Sequence, residues 1–115
     1  HIVQGQTKTW IKNVFSKETT KIIKEDLINA IADENGTGHS IYHDSVTLAG
    51  KTGTAEIKQN QSDTTGTELG WFTVMTTDSQ QSILMTTVVE DVKNRGGSGY
   101  VVEHTKKPLD LYLSK

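Results

Sequence analysis

The residues of this chain whose types and spacing could do chemistry together lie in the run Gly50–Glu56, with the sequence GKTGTAE. The composition of the surrounding segment predicts a β-strand, in which successive side chains point to opposite faces. Thr52, Thr54 and Glu56 should then share one face, whereas Lys51, Ala55 and Ile57 should share the other. The glycine at position 53 leaves bare backbone, along which a peptide ligand could take main-chain hydrogen bonds. The carboxylate of such a peptide would then lie near the hydroxyls of Thr52 and Thr54 and the ammonium of Lys51.

The tripeptide Lys51-Thr52-Gly53 is one of three sequence elements of a known class of serine acyl-transfer sites. The other two are Ser-x-x-Lys, which supplies the nucleophile, and a Ser-Asp-Asn type element. No serine of this chain stands three residues before a lysine, and Ser62-Asp63 is followed by Thr64 rather than by asparagine. We therefore predict that this chain alone cannot form an acyl-enzyme.

The pattern extends well beyond the tripeptide. The segment LAGKTGTAEIK is followed by a polar loop, then ELGWFTV, then SILMTTVVEDV and a helix-like stretch. This order resembles the class B penicillin-binding proteins, in particular their low-affinity, Gram-positive group. The preceding TKTWIKNVFSKETTKIIKEDLINAIADE is similar to the strand and helix before the Lys-Thr-Gly strand in that family. The resemblance implies that residues 1–115 are the C-terminal portion of a transpeptidase domain, with the two serine motifs upstream of His1.

The resemblance also implies a role for each residue of the strand. Lys51 would supply positive charge, and the backbone N–H of Thr54 would form half of an oxyanion hole, which makes these two the catalytic candidates. Thr52, Gly53, Thr54 and Glu56 would bind substrate, the two hydroxyls holding the carboxylate of a β-lactam or of the donor stem peptide. Glu56 either rims the cleft or is simply a solvated carboxylate. No metal and no organic cofactor is implied, and the partners are D-Ala-D-Ala stem peptides and β-lactams.

Periodicity predicts an α/β (α+β) fold: an antiparallel three-stranded meander with a helix before it and one after it, both packed on one face. Ser16 is the expected N-cap of a helix over 17–33, which a left-handed glycine within Asn35–Gly38 should end. Pro108 should kink or divide the C-terminal helix, which begins near Ser98, with a bend or a lost hydrogen bond near His104 to Lys107. Apolar pairs predict two short strands at the N-terminus, at Ile2-Val3 and Trp10-Ile11. The three meander strands are predicted over 46–58, 68–77 and 82–91, with a tight hairpin over 78–81.

Length and charge narrow the functional classes. The 115 residues allow one domain, and a net charge of −2 with mixed signs offers no basic patch for nucleic acid. No apolar run reaches the roughly 18 residues of a membrane span, so any membrane attachment would come from an upstream anchor. The resemblance places the parent protein at the extracytoplasmic face of the bacterial plasma membrane.

His39 and His43 have a spacing that holds metal on a helix, but the flanking glycines favour a chance pair.

Two alternatives stay open at this point. The chain could be a fragment of a β-lactam sensor or of a class D β-lactamase, because those relatives share Lys-Thr-Gly and a downstream Gly-Trp. It could also be a non-enzymatic domain that binds peptides along a strand edge. The resemblance to the transpeptidase family also implies that the last strand pairs with an N-terminal strand of the domain, which would be missing if the chain starts at His1. The last strand should then present an unpaired edge carrying Ile83, Met85, Thr87 and Val89, from which we predict self-association or marginal stability of the isolated chain.

Overall fold

The structure, a computed structural model, describes residues 5, 8–77 and 80–114. It contains helices α1 (Lys17–Ala32) and α2 (Ser98–Leu113) and strands β1 (Leu48–Glu56), β2 (Glu68–Thr76) and β3 (Leu84–Val89). A short 3₁₀ turn covers His39–Ile41 between α1 and β1. The three strands form one antiparallel sheet in the order β1-β2-β3. The predicted α+β meander between two helices is therefore confirmed.

The hydrophobic core lies on one face of this sheet. Phe72 and Val74 of β2 are fully buried there, together with Ile31 at the end of α1 and Val101 of α2. Since alternate side chains of a strand share a face, the even-numbered positions of β1 and β2 form the core side of the sheet. The C-terminal end of α1 and the whole of α2 thus cover the same face.

The middle of α1 is largely exposed. Ile23 and Leu27 border a groove with Met75, which has the opposite parity to Phe72 and Val74 along β2. Ile31, near the C-terminal end of α1, is the residue of this helix that is buried in the core, so the packing of both helices on one face is clearest there.

Helix α1 begins as the sequence indicates and ends differently. The Ser16 hydroxyl accepts a hydrogen bond from the Thr19 N–H at 3.1 Å, as expected of an N-cap. The prediction of a left-handed glycine at the other end is wrong, because the positive φ angles of described glycines occur at Gly96 and Gly97. Gly36 is required for space instead: a Cβ there would stand 2.5 Å from the Ala30 carbonyl oxygen.

Pro108 does not divide the C-terminal helix, so that part of the prediction is wrong. Helix α2 runs from Ser98 to Leu113 as one element with Pro108 inside it. Proline has no N–H, so the carbonyl of His104 receives no helical hydrogen bond from position 108. Thr105 and Leu109 are nonetheless fully buried on either side of it. Their packing against the sheet outweighs the local cost of the proline.

The N-terminal segment does not form the strand predicted at Trp10-Ile11. Both residues lie in irregular backbone, with 88% and 74% of their surfaces exposed. The companion strand predicted at Ile2-Val3 lies outside the described residues, as does half of the hairpin predicted over 78–81. None of the helices in the described part of the chain is both long enough and apolar enough to cross a bilayer.

The residues whose backbone groups form the free edge of β3 differ from those predicted. The Thr76 N–H donates to the Ile83 carbonyl at 3.2 Å, and hydrogen bonding alternates along an antiparallel pair. The odd-numbered residues of β3 therefore bond β2, and Ile83, Met85 and Val89 pack against the core. The free edge instead carries Leu84, Thr86 and Val88.

Candidate active site

The backbone of β1 is open along one side. The Ile57 N–H donates to the Thr67 carbonyl at 2.8 Å, and at the other end of the strand the Thr77 N–H donates to the Thr47 carbonyl at 3.0 Å. Both bonds involve odd-numbered positions at the β1 side, so odd residues of β1 face β2. Even residues direct their N–H and C=O groups outward, and no described strand pairs with that edge. The N–H of Thr54 is one of these outward donors.

The side chains of Thr52, Thr54 and Glu56 lie on the core side of the sheet plane. Thr52 is directly opposite Phe72 in the register, which fixes this face, and only 8% of its surface is exposed. Thr54 is exposed, near the start of α2: its hydroxyl oxygen lies 3.9 Å from where a Cβ of Gly97 would stand. The hydroxyl of Thr54 therefore lies near the N-terminus of α2, whereas that of Thr52 is turned into the protein.

Lys51 begins on the opposite face but its ammonium reaches the edge. The exposed side chain curls so that Nζ donates to the Thr52 carbonyl oxygen at 2.8 Å. That carbonyl points outward from the strand, by the alternation established above. The structure thus brings the ammonium of Lys51 and both the hydroxyl and the N–H of Thr54 to one open strand edge, with the nearly buried Thr52 between them in the strand.

Gly53 and Glu56, the other predicted substrate contacts, are engaged within the protein. A Cβ on Gly53 would overlap the indole ring of Trp71, its cross-strand neighbour, so the glycine makes room for that ring on the outer face of the sheet. The carboxylate of Glu56 forms an ion pair with Lys58. A ligand therefore reaches Gly53 along the backbone edge and not across the face that Trp71 covers.

Thr37 is a further residue beside the site that the sequence analysis did not predict. Its hydroxyl lies 3.3 Å from that of Thr52, which donates to it. Thr37 stands in the turn between α1 and the 3₁₀ segment, fifteen residues before Thr52. Its only signal in the sequence is its position between two glycines, Gly36 and Gly38.

The loop between β1 and β2 is held by charged side chains at the far end of the same edge. The Asp63 carboxylate accepts hydrogen bonds from the Thr65 hydroxyl at 2.7 Å, the Thr65 N–H at 2.8 Å and the Gln59 N–H at 3.1 Å. These bonds, that of the Thr65 hydroxyl foremost, lower the pKa of Asp63 from 3.8 to about 2. Lys93 donates to the carbonyls of Thr64 and Gly66 at 2.5 and 2.8 Å. The loop is thus ordered by its own carboxylate and by the segment that follows β3.

The two histidines with metal-like spacing have separate partners. Nδ1 of His39 donates to the Ile31 carbonyl at 3.0 Å, and Nδ1 of His43 lies 3.0 Å from the Ser45 hydroxyl. Among the described residues no three His, Cys, Asp or Glu side chains converge on one point. Within that part of the chain, the strand edge of β1 is the stronger candidate for a functional site.

Comparison with known proteins gives two findings. The family model for the penicillin binding protein transpeptidase domain matches residues 1–109. Penicillin-binding protein 3 of Bacillus subtilis (strain 168) is 40% identical over 98 residues, which are 85% of this chain and 14% of that protein. The chain thus spans about one seventh of the length of that relative.

Proposed function

Because this chain belongs to the family of penicillin binding protein transpeptidase domains, we propose that it supplies the Lys-Thr-Gly wall of a serine D,D-transpeptidase active site. In this proposal residues 1–115 are the C-terminal portion of the domain, and the Ser-x-x-Lys and Ser-x-Asn motifs stand upstream. The serine attacks the carbonyl carbon of the penultimate D-alanine of a stem peptide, and the terminal D-alanine leaves. The amine of a second stem peptide then takes the acyl group and releases the serine.

One observation carries this proposal: the N–H of Thr54 and the ammonium of Lys51 both lie along a strand edge that no described strand covers. A backbone N–H aimed at open space can stabilise the oxyanion that develops when a carbonyl is attacked. An ammonium about 4 Å from a carboxylate contributes roughly 4 kcal/mol at an effective dielectric of 20. A donor stem peptide ends in a carboxylate one residue beyond its scissile carbonyl, so it can use both groups at once.

In this proposal each of the remaining residues of the strand has a separate role in binding the substrate. The hydroxyls of Thr52 and Thr54 orient the carboxylate, each contributing about 1.5–3 kcal/mol as a hydrogen bond to a charged group. Gly53 lets the peptide backbone lie close along the edge, and Glu56 rims the site beside its ion pair with Lys58. β-Lactams occupy the same place, because their ring amide and carboxylate mimic the D-Ala-D-Ala end. No cofactor enters this mechanism.

We also propose a location for the longer protein that contains this chain. A transpeptidase of this family acts on peptidoglycan, so its catalytic domain belongs at the extracytoplasmic face of the plasma membrane, attached through an anchor outside these residues. Of the open alternatives, a β-lactam sensor or class D β-lactamase and a non-enzymatic peptide-binding domain are both disfavoured by the similarity to a penicillin-binding protein over 85% of the chain.

The proposal is tested by labelling with a fluorescent penicillin. We expect no covalent adduct on the isolated chain, because it contains neither the serine nucleophile nor the lysine that activates it. The longer protein that contains this sequence should gain one penicilloyl group per molecule. Intact-mass spectrometry distinguishes the two, and a stoichiometric adduct on residues 1–115 alone would refute the division of the motifs.

We also propose that the isolated chain self-associates through β3. Leu84 and Val88 are 69% and 55% exposed at its free edge, where the backbone donors and acceptors have no described strand to pair with. Such an edge recruits a further strand. Sedimentation velocity over a dilution series should show a dimer or larger species that dissociates on dilution. A monomer at all concentrations with a cooperative thermal transition would rule this out.

A further inference from the structure

The hydroxyl of Thr52 has a fixed neighbour inside the protein. Thr52 is nearly buried, and its hydroxyl donates to the exposed Thr37 across 3.3 Å. The contact joins the strand edge to the turn that follows α1, two elements fifteen residues apart in the chain. A hydroxyl that must act on a ligand is thus already held by a second hydroxyl.

The turn that carries Thr37 is tightly built. The Gly36 N–H donates to the Asp33 carbonyl and the Gly38 N–H to the Ala30 carbonyl, each at 2.8 Å. A Cβ on Gly36 would stand 2.5 Å from the Ala30 oxygen, and one on Gly38 would stand 3.3 Å from it. A side chain at position 36 would therefore displace the helix backbone, and one at position 38 would crowd it. The backbone of Thr37 is therefore held firmly against β1.

The direction of the hydroxyl bond must reverse when a carboxylate binds. An ionised carboxylate only accepts hydrogen bonds, so Thr52 has to turn its single proton from Thr37 toward the ligand. The Thr52 oxygen then has free lone pairs, to which the Thr37 hydroxyl can donate in its turn. In the structure only Thr52 is placed to donate across this contact, so the exchange requires a rotation of the exposed Thr37 side chain. Hydrogen bonds in such a chain polarise one another, which strengthens the terminal bond to the carboxylate.

We propose that Thr37 is a positioning residue for the substrate carboxylate, acting through the hydroxyl of Thr52. This inference rests on the proposed function, in which Thr52 binds that carboxylate. Thr37 touches neither the reacting carbonyl nor the serine, so its contribution is confined to ligands that present an anion to Thr52. Its size is that of one neutral hydrogen bond, about threefold to tenfold in the rate of acylation.

The experiment compares acylation of the longer protein by benzylpenicillin and by its methyl ester, which lacks the charge. Thr37→Val should slow acylation by benzylpenicillin about threefold to tenfold and leave the rate with the ester unchanged. Thr37→Ser, which keeps the hydroxyl, should restore the wild-type ratio of the two rates. Thr86→Val is the matched control, because it removes a hydroxyl from another threonine pair, Thr73 and Thr86 at 3.0 Å, on the opposite face of the sheet.

A double-mutant cycle separates this inference from the proposed function. If Thr37 acts through Thr52, Thr37→Val should have no further effect once Thr52→Val is present. An effect of Thr52→Val with none of Thr37→Val would overturn the inference and leave the proposed function intact. No effect of Thr52→Val on benzylpenicillin would overturn the proposed role of Thr52 itself. Equal slowing with the penicillin and the ester would show that Thr37 only supports the fold.

Discussion

Replacing Lys51 by alanine in the longer protein should slow acylation by benzylpenicillin by about two to three orders of magnitude. The ammonium lies at the free edge of β1, bound to the Thr52 carbonyl at 2.8 Å. A contribution of roughly 4 kcal/mol at about 4 Å from a carboxylate corresponds to a factor of about 10³. Stopped-flow acylation kinetics measure this loss, and the size should shrink as ionic strength rises, because the site is open to solvent.

The fold should tolerate that change, because the Lys51 side chain is exposed. Lys21→Ala is a suitable control: it also removes an exposed lysine, one that pairs with Glu25 at 3.8 Å on the surface of α1. It should leave both acylation and stability unchanged within about 0.5 kcal/mol. Unaltered acylation by Lys51→Ala would remove this lysine from the site.

Replacing Phe72 by alanine should destabilise the isolated chain by about 3–5 kcal/mol. Phe72 is 1% exposed and holds three parts of the site together. It is opposite Thr52 in the register, its ring stands at 2.9 Å from where a Cβ on Gly50 would be, and it also reaches Gly38. Loss of the ring leaves a cavity between β1 and the turn that carries Thr37. That cost is a large share of the roughly 5–15 kcal/mol that stabilises a domain.

Urea unfolding followed by circular dichroism measures this difference, at one fixed protein concentration because association shifts apparent stability. Leu84→Ala is the control, since it truncates a large apolar residue of the same sheet that is 69% exposed. It should change the free energy of unfolding by about 0.5 kcal/mol or less. Equal effects of the two substitutions would show that the core is not built around Phe72.

The sheet and both helices could be predicted from local patterns. β-Branched runs and polar loops located the three strands to within two residues at each end, and the Ser16 cap located the start of α1. These signals are local, because strand composition and capping act within a few residues of where they are read. The role of the Lys-Thr-Gly strand stays a proposal, although the strand itself is where the sequence indicates.

The errors arose where distant packing decides the local conformation. Pro108 reads as a helix breaker, but the buried residues around it keep α2 continuous. Gly36 reads as a left-handed cap, but it is needed because the Ala30 carbonyl stands so close. The face of β3 that packs on the core depends on the register of β3 with β2. A shift of one residue would exchange the two faces, and the alternation of side chains in the sequence does not determine that shift. Thr37 escaped notice for the same reason, since its partner is fifteen residues away.

A crystal structure of the longer protein acylated by benzylpenicillin would show whether the edge of β1 binds the ligand. We expect the carbonyl oxygen of the penicilloyl group to lie within hydrogen-bond distance of the Thr54 N–H, and its carboxylate to contact the hydroxyls of Thr52 and Thr54. The edge of β1 would then bind the ligand as an added strand would. An acyl group whose carbonyl and carboxylate are both held elsewhere, with the edge of β1 left free, would contradict the account.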